Sequence, residues 1–227
     1  RPWWAAVLVA LAIGVLAGAW HGFFLSQLGI PGFITTLGGM MIFRGGVIWI
    51  SRSISVPAPQ ELKWFGSGYL PEWGPSFTGM NNSTLLLGII GIACYIFAQI
   101  KKHKHSGDAT GVKDPVWALV VRIVLMSAII GYFTWLFGSG RVGTSFPVPG
   151  LILLVLTIIY HIITQRTKFG RHVYAVGGNK AAAALSGVNV KRTYFLTMMN
   201  MSFLSAVAGI LFVGRATAAG PADGTIA

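Results

Sequence analysis

The sequence predicts an all-α polytopic membrane protein, and three observations carry that prediction. Mean hydropathy is +0.70, with 54% of the residues hydrophobic and 10% charged, whereas a soluble domain carries about a quarter charged residues. Six apolar runs, placed below, are long enough to cross a bilayer, which takes about 20 helical residues each. The basic residues gather in particular connections between those runs. In a soluble protein a net charge of +12 would point to nucleic acid. In a membrane protein its distribution matters more than its sum, and no nucleic-acid partner is expected.

Trp3 to Trp20 reads as the first span, with Trp3, Trp4 and Trp20 as interfacial anchors. Ala10, Gly14, Gly18 and Gly22 recur every fourth residue and predict a close-packing face. Pro31 to about Ile50 is the second span. Its Thr35 and Thr36 either bond to carbonyls one turn back or face a passing solute. Arg44, among Ile42, Phe43 and Val47, either anchors the span near the outer interface or faces a polar cavity. Residues 51–83 follow as an extramembrane loop. Its prolines forbid a long helix, and Trp64, Phe65, Tyr69 and Trp73 suit a segment lying along the headgroups or docking an extracytoplasmic protein.

Thr84 to Ile100 is the third span. It ends in Lys101-Lys102-His103-Lys104-His105, which reads as a positive-inside anchor and not a metal site, since no carboxylate or thiolate joins the histidines. No metal is expected elsewhere in the chain. Pro115 to Phe137 is the fourth span. After it, Gly138 to Gly143 spells G-x-G-x-x-G, but no strand–turn–helix context surrounds it, so it is not a dinucleotide site. Val148 to Thr164 and Tyr194 to Gly214 complete the set. In the last, Ser202, Ser205, Ala206 and Gly209 form a small face, and Asn200 is a mid-membrane polar group that must meet protein or a pathway.

Counting basic residues gives the sidedness. Residues 101–114 carry four lysines against Asp108 and Asp114, and 166–193 carry Arg166, Lys168, Arg171, Lys180, Lys191 and Arg192 with no acid. Both are therefore cytoplasmic. That puts 51–83, 138–147 and the tail outside. It also puts Arg1 outside, against the rule.

The interval Lys168 to Arg192 is the longest cytoplasmic stretch, and its punctuation spells a short helix. Gly177-Gly178 reads as a flexible joint, Asn179 as an N-cap, Lys180 to Ser186 with its four alanines as about two turns, and Gly187 as a left-handed stop. A helix so short is marginal alone and gains stability by packing, either on its own protein or in a partner's groove.

The pattern GGN-x-x-AA-x-x-SG-[VI], matched by Gly177, Gly178, Asn179, Ala182, Ala183, Ser186, Gly187 and Val188, resembles the cytoplasmic loop of permease subunits in bacterial sugar ABC importers of the ribose, xylose and arabinose group. IPGFITTLGGMMIFRG, from Ile30 to Gly45, resembles a second segment of the same family. The resemblance implies a single transmembrane permease domain over 1–227. It would be incomplete at both ends, part of a larger bundle of roughly ten spans of about 20 residues each. It also implies an inner-membrane location, a homodimer, a cytoplasmic ATPase that binds ATP and Mg, and a periplasmic sugar-binding protein. The cargo would be a monosaccharide, D-xylose foremost, moved by alternating access. Gly177, Gly178, Asn179, Ala182, Ala183, Ser186 and Gly187 would couple to the ATPase. Thr35, Thr36, Arg44 and Asn200 are the polar groups within spans that could line the path.

The missing chemistry narrows the classes. The sequence has no G-x-x-x-x-G-K-[ST], so the chain is not expected to split ATP itself, and no catalytic residue is expected. It has five acids, none predicted inside a span, which argues against an ion-coupled carrier. A related permease for another sugar or for branched-chain amino acids is the near alternative. A passive channel or membrane scaffold is the distant one.

Overall fold

The computed structural model describes residues 2–71, 80–110, 115–139, 145–221 and 223, with the backbone alone over 104–110. Arg1, Trp73, Asp114, most of the G-x-G-x-x-G stretch and the last four residues of the tail lie outside the described residues. The elements run α1 (Trp3–Ser26), α2 (Gly32–Ser51), β1 (Val56–Pro57), α3 (Gln60–Ser67), α4 (Asn82–Thr110) and α5 (Val116–Gly138). Then come α6 (Val148–Arg166), α7 (Lys168–Gly178), α8 (Lys180–Leu185), α9 (Val190–Ala216) and β2 (Ala218–Ala219). Six of these helices, α1, α2, α4, α5, α6 and α9, are long and apolar enough to span a membrane. The chain is an all-α polytopic membrane protein.

The spans run past their predicted ends because a helix need not stop where the apolar run does. α9 begins four residues before Tyr194, where the Asn189 side chain accepts the Arg192 N–H at 2.9 Å. α4 continues through the lysine cluster to Thr110, so much of 101–114 is helix and not an irregular loop. Lysine is a good helix former, and the helical bonds do not depend on lipid.

The structure falls into two compact units. The first comprises residues 1–68 and 149–227. Its centre is the antiparallel pair α1 and α9. A Cβ added at Gly14 would lie 2.5 Å from the Ala206 Cβ, at Gly18 2.6 Å from the Met199 Cα, and at Gly22 2.9 Å from the Phe195 ring. The glycine stripe is the furrow in which α9 lies, as its four-residue spacing predicts. On α9, Ser202 and Ala206 meet that furrow, whereas Ser205 and Gly209 are exposed.

At the far end of α9 the proline-limited helix α3 docks by a second glycine contact. Gly66 lies against the Gly214 and Arg215 backbone, and Leu62 is buried there. Beside it β1 pairs antiparallel with β2, Val56 opposite Ala219, and Ala58 N donates to Thr217 O at 3.0 Å. This pairing holds residues 56–58 and 217–219 together beside that end of α9.

The second unit is Tyr69–Val148. In it α4 packs on α5, where a Cβ at Gly88 would lie 2.3 Å from the Thr134 hydroxyl. Asn81 N donates to Gly138 O at 3.1 Å and Leu70 N to Phe146 O at 3.1 Å. The Thr84 hydroxyl, 2% exposed, accepts the Phe146 N–H at 3.0 Å. These bonds tie 69–71 and 145–147 to the same end of the α4–α5 pair.

Candidate functional site

The interval Lys168 to Arg192 carries one helix more than the sequence predicts. α7 covers Lys168 to Gly178, capped by Thr167, whose hydroxyl accepts the Gly170 N–H at 3.3 Å. Phe169, Val173 and Val176 fall on one face at i, i+4 and i+7 and turn inward, while Lys168, Arg171, His172 and Tyr174 are exposed. That amphipathic spacing was the available signal. Gly177 and Gly178 are therefore the last turn of α7 and not a loose joint: the Asn179 N–H donates to Ala175 O at 3.0 Å, and only Asn179 leaves helical geometry, at φ −151° and ψ 105°. The pattern of inward residues keeps the backbone wound through both glycines.

α8 is built as its residues dictate. The Asn179 side chain accepts the Ala182 N–H at 3.0 Å. At the other end Val188 N donates to Ala183 O and Gly187 N to Ala184 O, both at 3.0 Å, with Gly187 at φ +81°. This crossed pair is a Schellman stop, which needs the left-handed residue that glycine supplies. The Ser186 hydroxyl donates to Ala182 O at 2.9 Å, and the Lys180 ammonium lies 5.5 Å from the centre of the Tyr194 ring. Gly177, Gly178, Asn179, Ala182, Ser186 and Gly187 are exposed. Ala183 is 4% exposed and faces its own chain. Among the described residues the most exposed large apolar one is Leu185, at 91%. The motif does not single it out, because its importance lies in where the helix turns it.

The polar residues inside spans do not converge. Thr35 and Thr36 donate to Pro31 O at 3.3 Å and Gly32 O at 2.9 Å, one turn back on their own helix. Arg44 is exposed and has no ion-pair partner among the described residues. It lies about two and a half turns beyond Thr35, on the opposite face of α2. The Asn200 amide oxygen accepts the hydroxyl of Tyr160, which ties α9 to α6. No hydrogen bond joins Asn200 to the α2 residues among those described.

His21 on α1 has no place in the sequence motifs. Its Nδ1 is 2.9 Å from Ala17 O, its ring meets Phe43 edge-on at 5.5 Å, and its Nε2 is buried without a hydrogen-bond partner. A Cβ at Gly39 would lie 2.0 Å from that nitrogen. Gly39, the one buried residue of α2, is where the imidazole fits. Gly39→Ala is therefore expected to cost about 1–2 kcal/mol by overpacking. Adding His21→Ala should return most of it, as a coupling of about 1 kcal/mol in a thermal-stability cycle. Additivity within about 0.5 kcal/mol would show that Gly39 makes room for something else.

A family model described as the branched-chain amino acid transport system / permease component matches residues 1–226. The chain belongs to that permease family. Among curated members, the xylose transport system permease protein of Escherichia coli is 34% identical over 223 residues, 97% of this chain and 53% of the relative. The protein of the same description from Haemophilus influenzae is 30% identical over 232 residues, 98% of this chain and 58% of the relative. The ribose import permease protein of Escherichia coli is 26% identical over 220 residues, 97% and 47%. The permease chain thus spans about half the length of the curated relatives it matches. No solved structure matches it.

Proposed function

We propose that this permease chain forms the membrane-spanning part of an ATP-driven sugar importer in a bacterial inner membrane, with xylose as the first cargo to test. The support is the likeness to xylose permeases along nearly the whole chain together with α8, a helix capped at both ends that holds Leu185 in water on a basic loop. A soluble ATPase with an apolar groove would bury that leucine. The sequence offers no P-loop, so ATP and Mg belong to that partner, and a periplasmic binding protein would deliver the sugar. Residues 51–68 and 217–221, joined through β1 and β2, would belong to the outer face it meets. ATP binding would close the ATPase pair, and α8 would carry the motion into α7 and α9 and change the side on which a permease dimer opens. Which residues touch the sugar stays with Thr35, Thr36, Arg44 and Asn200 as candidates.

The family description favours a second cargo class, branched-chain amino acids. Vesicles holding the protein with its ATPase and binding protein should take up labelled xylose only with ATP inside the compartment facing the ATPase. ATP-driven uptake of leucine but not xylose would give the second reading precedence. Sugar flux that ignores ATP would make the protein a passive channel and sink both.

A further inference from the structure

We propose that the recess between the end of α1 and the start of α9 binds the phosphate headgroup of an anionic phospholipid. Gln27, Asn189, Lys191, Arg192 and Phe195 line a hollow of about 400 Å³. Gln27 is the first residue after α1, and Lys191 and Arg192 lie in the first turn of α9, so the hollow opens where two spans leave the apolar layer. The ring of Phe195 packs on Gly22 of α1 and gives it an apolar floor.

Within the first unit, no acid stands beside this hollow among the described residues. The sequence holds no Asp or Glu from residue 115 to 222. The only acids of the first unit are Glu61, in α3, and Asp223, whose carboxylate accepts the Gly220 N–H. α3 and the tail both lie beside the far end of α9. The helix end itself is already capped by Asn189, so the attraction comes from the side chains of Lys191 and Arg192 and not from backbone N–H groups. Two cations and an amide above an aromatic floor, level with the headgroups, match a phosphodiester with its acyl chains running down the protein. An acidic side chain of a soluble partner would have to reach into the membrane surface to do the same. This inference is independent of the cargo.

The test is native mass spectrometry of the protein released from membranes of phosphatidylglycerol and phosphatidylcholine, counting retained lipid. Lys191→Gln with Arg192→Gln is expected to lower retained phosphatidylglycerol by about 25-fold, since each of the two cations at an anionic surface contributes roughly fivefold. Lys168→Gln with Arg171→Gln, equal in charge and exposed on α7, should lower it less than about twofold. Lys191→Arg with Arg192→Lys should restore it. Equal losses in both pairs would reduce the site to diffuse charge, and displacement of the lipid by inorganic phosphate would make it a free-anion site. Unchanged lipid with loss of a protein partner would assign the hollow to that partner. Each of these three results overturns the proposal.

Discussion

Gly18→Leu is expected to separate α9 from α1 and to destabilise the protein by about 3 kcal/mol or more, the upper end of overpacking costs. The reason is what the new side chain would strike. Most large replacements push other side chains aside, and rotamer changes absorb part of the cost. At Gly18 even the Cβ would lie 2.6 Å from the Met199 Cα and 3.0 Å from the Met198 carbonyl oxygen. Only a shift of the whole helix relieves that clash. Packing between spans is driven mainly by close van der Waals contact, since lipid is as apolar as the side chains. Moving α9 outward would also break the contacts at Gly14 and Gly22 that share the furrow. Gly209→Leu is the control. It lies on α9, the helix that fills the furrow, with nothing within 4 Å of an added Cβ, and it should change the melting temperature in detergent little. Equal losses from the two replacements would refute the furrow.

How much of this could be read beforehand follows from which signals are local. The spans were legible because each is a continuous apolar run, and the furrow because Ala10, Gly14, Gly18 and Gly22 repeat at one helical face. The ends of α8 were legible too: Asn179 and Gly187 act through their own neighbours, within a turn. What the sequence concealed depends on contacts far apart in the chain. His21 means nothing until α2 brings Gly39 to it. The tie between Tyr160 and Asn200 joins positions forty residues apart. α3 was hidden among prolines, and only the glycine pair Gly66 and Gly214 explains why so short a helix holds its place. The joint expected at Gly177-Gly178 failed for a similar reason. Glycine permits a break but does not require one, and the inward face of α7 outweighed it.

The same distinction decides how the coupling reading is best tested. Ala183 belongs to the motif, but at 4% exposure an arginine there would disrupt the packing of α8 on its own chain and reveal nothing about a partner. Leu185→Glu acts on the outside alone. The side chain is 91% exposed, so the substitution removes no internal packing, and the Schellman bonds that end the helix are all backbone. In water an exposed leucine contributes nothing to the fold. In a partner's groove its burial is worth about 2 kcal/mol, roughly a thirtyfold change in affinity, and a buried carboxylate would cost more still. ATP-driven uptake is therefore expected to fall at least about tenfold, with insertion and melting temperature unchanged and the ATPase lost on purification. The basic surroundings sharpen the test. Residues 166–193 carry six basic residues and no acid, so the charge of the loop as a whole does not disfavour a glutamate, and a loss of coupling would identify apolar burial as its cause. Full uptake with Leu185→Glu would mean that α8 is a connector only, and that the ATPase grips the protein elsewhere.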